Sequence, residues 1–117
     1  MTIFGTGIDI IEVERIEQAI KRWGDHFLNH VFTKTEIAYA QKHKYPTQHF
    51  AARFAAKEAV LKAIGDNAHI VWKDIKILND KHGRPLCTLN AKKFKKKVVI
   101  SISHTKTYAV ASAFITK

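Results

Sequence analysis

Four charged residues interrupt an otherwise apolar stretch, Arg53-Phe54-Ala55-Ala56-Lys57-Glu58-Ala59-Val60-Leu61-Lys62. Arg53 and Lys57 are four residues apart, as are Glu58 and Lys62, so each pair sits one turn apart on a helix. Burying an unpaired charge is costly, and a packed helix does not carry four without a reason. Two readings stand. In one, the charges are solvated edges, with Glu58 and Lys62 an ordinary pair worth roughly a few tenths of a kcal/mol. In the other, Glu58 serves a hard cation while Arg53, Lys57 and Lys62 neutralise phosphates. Asp9, in Gly7-Ile8-Asp9-Ile10, falls at the end of a predicted strand before a helix. There it reads either as a helix cap or as a second carboxylate. Magnesium is held by one or two carboxylates, with phosphate and water oxygens filling the remaining positions, so Asp9 with Glu58 meets the count. Gly5-x-Gly7 falls short of a phosphate loop, since no third glycine or Walker lysine follows. His104 stands between Ser103 and Thr105, three groups able to bind phosphate or simply to decorate a turn. No His-Glu-x-x-His motif and no Gly-x-Ser-x-Gly elbow is present, and Cys87 reads as a core residue.

The chain that must position these groups has 117 residues, enough for one compact domain spanning 1–117, with no repeat or linker. Lys and Arg number 20 against 10 for Asp and Glu, giving +10 and pointing to anionic partners. Nucleic acid, an acidic protein and a phosphorylated small molecule all meet that condition. The run Lys92-Lys93-Phe94-Lys95-Lys96-Lys97 is either a phosphate-contacting patch or a solvated turn before a strand. No zinc-finger, RNP1 or KH signature supports a nucleic-acid module. A hydrophobic fraction of 46% excludes a disordered tail. No apolar run nears the roughly 20 residues of a membrane span, and no secretory signal opens the sequence. A single cysteine rules out an intrachain disulfide. These features predict a soluble, cytoplasmic protein without a membrane partner.

Periodicity supplies the elements. Residues 3–10, rich in Ile and Phe with close-spaced glycines, predict a strand that another backbone approaches. Ile16, Ala19, Ile20 and Trp23 recur at helical spacing over 12–23, with Gly24 as a stop. Thr33 and Glu36 have the spacing of a capping box for a helix over 33–42, and Pro46 closes the connection after it. A third helix runs over 47–64, ended by Gly65-Asp66-Asn67. Phe50, Phe54 and Leu61 mark one side of it, while Ala52, Ala56, Ala59 and Ala63 line the other. Such a helix should be packed on both faces. Strands are predicted over 71–78, 85–89, 98–103 and 107–115, with a turn at Gly83 and a polar turn at 103–106. The order predicts an α+β domain whose antiparallel sheet packs on a long central helix.

Taken together, the stretches Gly7-Ile8-Asp9-Ile10 with Arg15-Ile16, and Arg53-Phe54-Ala55-Ala56-Lys57-Glu58-Ala59 with Lys62-Ala63, resemble one family. Asp74-Ile75, Gly83-Arg84-Pro85 and Ile102-Ser103-His104-Thr105-Lys106 continue the match in order across the whole chain. It is similar to the small holo-acyl-carrier-protein synthases, a class of 4'-phosphopantetheinyl transferase. The resemblance implies transfer of 4'-phosphopantetheine from coenzyme A to a serine of apo acyl carrier protein, in support of fatty acid biosynthesis. Adenosine 3',5'-bisphosphate would be the by-product. It implies Mg²⁺, with Mn²⁺ as an alternative, on Asp9 and Glu58. Arg53, Lys57 and Lys62 would neutralise phosphates, and Lys57 would protonate the leaving group. Gly83, Arg84, Pro85, His104 and Thr105 would hold the nucleotide. His104 and a metal- or carboxylate-bound water are both candidates for the base. Arg15, with Lys21 and Arg22, would dock the acidic carrier protein, and a homotrimer would form active sites between subunits. Two rivals are a basic nucleic-acid module and a non-catalytic binder of coenzyme A or carrier protein.

Overall fold

The computed structural model describes residues 2–65 and 69–116, so Asp66 and Asn67 of the predicted helix stop lie outside the described residues. β1 (Ile3–Glu12) runs without a loop into α1 (Val13–Trp23), followed by α2 (Asp25–Val31), α3 (Lys34–Gln41) and α4 (Pro46–Ile64). A single 3₁₀ turn (Trp72–Asp74) leads into the hairpin β2 (Ile75–Asn79) and β3 (Pro85–Leu89), then β4 (Lys97–His104) and β5 (Tyr108–Thr116). The class is α+β, as predicted. The strands form two antiparallel sheets rather than one, β1-β5-β4 and β2-β3.

Four local readings are corrected. α2 has no capping side chain and buries only Leu28 and Val31, too little for a periodic signal; Gly24, at φ 55°, separates it from α1. Pro46 opens α4 instead of ending the loop before it, its fixed φ suiting the first helical position. Residues 71–74 are not strand, because the Asp74 carboxylate accepts from the Val71 N–H at 2.9 Å and closes a turn. Ser103 and His104 belong to β4, and the turn is Thr105-Lys106-Thr107, closed by the Thr105 N–H donating to the Tyr108 carbonyl at 2.8 Å.

α4 is packed on both faces. Its alanines Ala52, Ala56, Ala59 and Ala63 are buried, and β5 presents Ala109, Ala111 and Ala113 from the sheet. β1 comes closer still. A Cβ on Gly5 would stand 2.1 Å from the Ala63 carbonyl oxygen, and one on Gly7 would stand 1.9 Å from that of Ala59. The glycine pair is therefore a contact between backbones and not a phosphate loop. Two residues of strand advance about 6.6 Å and four residues of helix about 6 Å, so the two elements stay in step along their contact. On the opposite face of α4, Phe50 meets Phe32 at 5.1 Å between ring centroids and Phe54 stacks on Trp72 at 5.1 Å.

The outer face of the three-stranded sheet remains bare. Thr6, Phe114 and Val99 share one cross-strand row, and Ile10 pairs with Val110 in another. Ile8 and Ile10 are 65% and 66% exposed, and Phe114, Val99 and Tyr108 are exposed as well. Exposed apolar side chains grouped on one sheet face suit a contact with another molecule.

Candidate active site

Alternation along β1 turns Gly5, Gly7 and Asp9 toward α4, and the close approach of the glycines draws Asp9 against the flank that carries Glu58 and Lys62. Asp9 lies inside β1, three residues before its end, so it is not a helix cap. Lys62 Nζ donates to the Ile8 carbonyl at 3.0 Å and approaches Asp9 Oδ1 at 3.3 Å. The expected Glu58–Lys62 pair does not form: among the described residues, no side chain or N–H bonds the Glu58 carboxylate. Burial, then the charge of Asp9, raises the Glu58 pKa above its ordinary value, with Lys62 opposing. Two carboxylates thus share a notch with one ammonium. A divalent cation on Asp9 and Glu58 would relieve this excess negative charge, and hard oxygen donors suit magnesium.

The second group lies on the other flank of α4. Arg53 is about 140° around the helix from Glu58 and about 180° from Lys62. It lines a cleft of about 260 Å³ with Gly83, Pro85 and His104, beside Tyr39 and His49. Arg53 is 4% exposed. Its guanidinium donates to Asn79 Oδ1 at 2.6 Å and lies 4.0 Å over the Tyr39 ring, while its buried Nε has no partner among the described residues. Burial lowers the Arg53 pKa, offset by Tyr39 and Glu36. Register explains the separation. His104 stands on β4 in the row of Ala109 and Ile11, and Asp9 stands on β1 in the row of Ala111 and Ile102. Both face α4, two strands apart, with the helix between them.

Lys57 belongs to neither group, which corrects its predicted place among the phosphate-binding and proton-donating residues. It is fully buried, and its ammonium donates to Glu36 Oε1 at 2.7 Å, the Val31 carbonyl at 2.8 Å and the Trp72 carbonyl at 3.2 Å. All three protons are committed. Burial lowers the Lys57 pKa, and Glu36 opposes that shift. Glu36 was legible only as the capping-box residue. It does cap Thr33, and its Oε2 also accepts from the Ile77 N–H at 2.7 Å, so it ties α3, α4 and β2 together. A buried lysine demands an acidic partner, which is the signal that could have found it.

The remaining predicted residues divide. Arg84 is exposed and lines a different groove, between β3 and β4. Thr105 Oγ1 accepts from the Thr107 and Tyr108 N–H groups, shaping the turn beside His104. On α1, Arg15, Lys21 and Arg22 are all exposed. Lys21 pairs with Glu17 at 3.0 Å and Arg22 lies 5.0 Å over Trp23, whereas Arg15 has no ion pair among the described residues. In the lysine run, Lys93 pairs with Asp74 and Lys96 covers Phe4 and Phe94, as in a solvated turn. His26 and His30, a His-x-x-x-His pair on α2, also escaped the sequence reading; no group of three metal-ligating side chains occurs among the described residues.

Residues 5–113 match the model of the 4'-phosphopantetheinyl transferase superfamily, and the chain belongs to that family. It is 46% identical over 114 residues to the holo-[acyl-carrier-protein] synthase of Thermodesulfovibrio yellowstonii, covering 97% of this chain and 99% of that one. It is 49% identical over 115 residues to that of Protochlamydia amoebophila, covering 93% and 94%. Among solved structures, the holo-(acyl-carrier-protein) synthase of Bacillus anthracis in complex with CoA (3',5'-ADP) superposes with a TM-score of 0.85. It shares 36% identity, covering 98% of this chain and 97% of that one.

Proposed function

We propose that this protein transfers the 4'-phosphopantetheine group of coenzyme A to a serine hydroxyl of apo acyl carrier protein, in support of fatty acid biosynthesis. The serine oxygen forms a bond to the β-phosphorus of the pyrophosphate, the bridging P–O bond breaks, and adenosine 3',5'-bisphosphate departs. The serine proton passes to water. The observation that carries the reading is the division of charge across α4: excess carboxylate at Asp9 and Glu58, excess cation at Arg53. Asp9 and Glu58 would hold Mg²⁺, which supplies charge neutralisation at the pyrophosphate. Lys62, anchored on the Ile8 carbonyl, adds a fixed positive charge beside it. Arg53 and His104, with the Gly83–Pro85 turn, would hold the nucleotide.

One coenzyme A cannot touch both groups on the same chain, because a helix about 10 Å across separates them. A neighbouring copy resolves this if the β1 flank of one chain meets the β4 flank of the next. Such a head-to-tail contact closes into a ring, here a homotrimer, and the bare apolar sheet face supplies the buried surface. The exposed Arg15 on α1 would receive the acidic carrier protein. No helix among the described residues is long and apolar enough to cross a membrane, and we assign the protein to the cytoplasm.

The test is mass spectrometry of apo carrier protein incubated with coenzyme A and Mg²⁺. A gain of one phosphopantetheine per carrier, lost on chelation, is expected; an unchanged carrier mass overturns the reading. Light scattering should report three chains, and Ile8→Asp should give inactive monomers. A fully active monomer at the same concentration would refute the shared site.

A further inference from the structure

His49 lines the Arg53 cleft and His43 stands behind it, and nothing above gives either a role. His49 precedes Arg53 by one turn of α4, and its ring lies 5.6 Å from that of His104 on β4. On its other side the His43 ring, just after α3, stands 3.9 Å away. His43 Nδ1 is 2.8 Å from the Tyr39 carbonyl oxygen, so that nitrogen carries the proton and Nε2 is the ring's acceptor. The Tyr39 ring closes the series, 4.6 Å from His43, 5.8 Å from His49 and 4.0 Å from the Arg53 guanidinium. Three imidazoles therefore run in series from His43 through His49 to His104, and the last two line the cleft of a buried cation whose Nε has no partner among the described residues.

The charges facing this cluster come from every packed element. α4 gives Arg53, the segment after α3 gives His43, and β4 gives His104. Tyr39 from α3 and Asn79 from the hairpin also line the cleft, and no carboxylate among the described residues does. Glu36 acts on Arg53 from α3 but is bonded to Lys57. Burial, then His43, His104 and Arg53, pushes the His49 pKa down to about 4. At neutral pH the cleft thus holds a neutral His49 beside a positive guanidinium. A phosphate monoester, a dianion above its second pKa of about 6, reverses the sign of that environment.

We propose that His43 and His49 complete, with His104 and Arg53, a proton-coupled site for a phosphate monoester, in which an imidazole takes up a proton as the phosphate enters. The inference rests on the coenzyme A reading and names the group that the cleft selects: a terminal phosphate rather than the pyrophosphate diester. By linkage, affinity rises as pH falls wherever the complex binds more protons than the free protein, up to about tenfold per pH unit for one full proton.

Calorimetry of the full-length protein with coenzyme A at pH 7, in two buffers of different ionisation heat, reads the protons directly. Uptake near half a proton or more per site is expected, by the same linkage. Coenzyme A lacking its 3'-phosphate should bind more weakly and with no uptake. His43→Phe/His49→Phe keeps the ring packing, and circular dichroism checks its fold; coenzyme A should still bind, with the uptake at least halved. Binding and transfer intact with no proton uptake overturns this inference alone, as does unchanged uptake in a folded double variant. Failure of coenzyme A to bind at all overturns the functional reading with it.

Discussion

Lys57→Met separates a structural lysine from a catalytic one. The substitution removes an ammonium that serves three acceptors in a fully buried site, and it leaves the Glu36 carboxylate with only backbone donors. Breaking a buried ion pair by deleting one partner costs about 3–5 kcal/mol. At an m-value near 2 kcal/mol per molar, that lowers the urea midpoint by about 2 M. Glu36→Gln/Lys57→Met removes both charges together and should recover about 2 kcal/mol or more, because no lone carboxylate remains. Turnover is measured with magnesium and coenzyme A at a temperature where circular dichroism shows the single variant folded. A residue that reaches no substrate should leave kcat within about threefold, whereas losing a general acid costs about 100-fold or more. A stability loss below about 1 kcal/mol would refute the pair's role in holding α3, α4 and β2 together. A 100-fold loss of kcat in the folded variant would return Lys57 to the chemistry.

Gly7→Ala places a Cβ 1.9 Å from the Ala59 carbonyl oxygen, so β1 or α4 must shift; denaturant unfolding should show a loss of at least about 1–3 kcal/mol, and a neutral result would show slack in that contact. Glu58 holds its proton more tightly in the fold than in the unfolded chain, so its contribution to stability is full below the ordinary carboxylate pKa and is lost as pH rises through the folded value. In metal-free protein, Glu58→Gln should therefore flatten the decline of Tm above about pH 4.5, and parallel profiles would remove the strain at the notch. Arg15→Glu should raise the KM for carrier protein many-fold with the coenzyme A KM unchanged, and the native interaction should weaken as salt rises; equal effects on both substrates would place Arg15 at the coenzyme A site.

The sequence showed some of this directly and hid the rest for physical reasons. The alanine row and the Phe50–Phe54–Leu61 row announced a doubly packed helix, since small and large residues on opposed faces need two partners. The capping box Thr33–Glu36 was equally plain, because it is a contact within one turn. α2 was not, since a seven-residue helix with two buried side chains leaves almost no periodic trace. The site divides the same way. Asp9, Glu58 and Lys62 were nameable as residue types, but only the backbone contact at Gly7 places a strand carboxylate beside a helix 49 positions away. Periodicity treats Arg53 and Lys57 alike, one turn apart on one ridge. Their opposite fates depend on Glu36 and Asn79, which lie far off in the chain and reach the helix only through the tertiary fold.

That contrast between Arg53 and Lys57 carries the functional argument further than proximity does. A buried cation must be satisfied, and the fold satisfies Lys57 completely, with a carboxylate and two carbonyls. It satisfies Arg53 with a neutral amide and an aromatic face, leaving Nε bare. The same asymmetry recurs with opposite sign at Glu58, a half-buried carboxylate on which the charge of Asp9 acts against that of Lys62. Self-pairing would cancel both excesses, yet the helix holds them on opposite flanks, where no rotamer lets them meet. Under the proposed function, the ligand that would cancel them is anionic toward Arg53, bound through a cation at Glu58, and shared by two copies of the chain. A metal-bound pyrophosphate joined to a terminal phosphate has that distribution of charge, and coenzyme A carries both groups on one nucleotide.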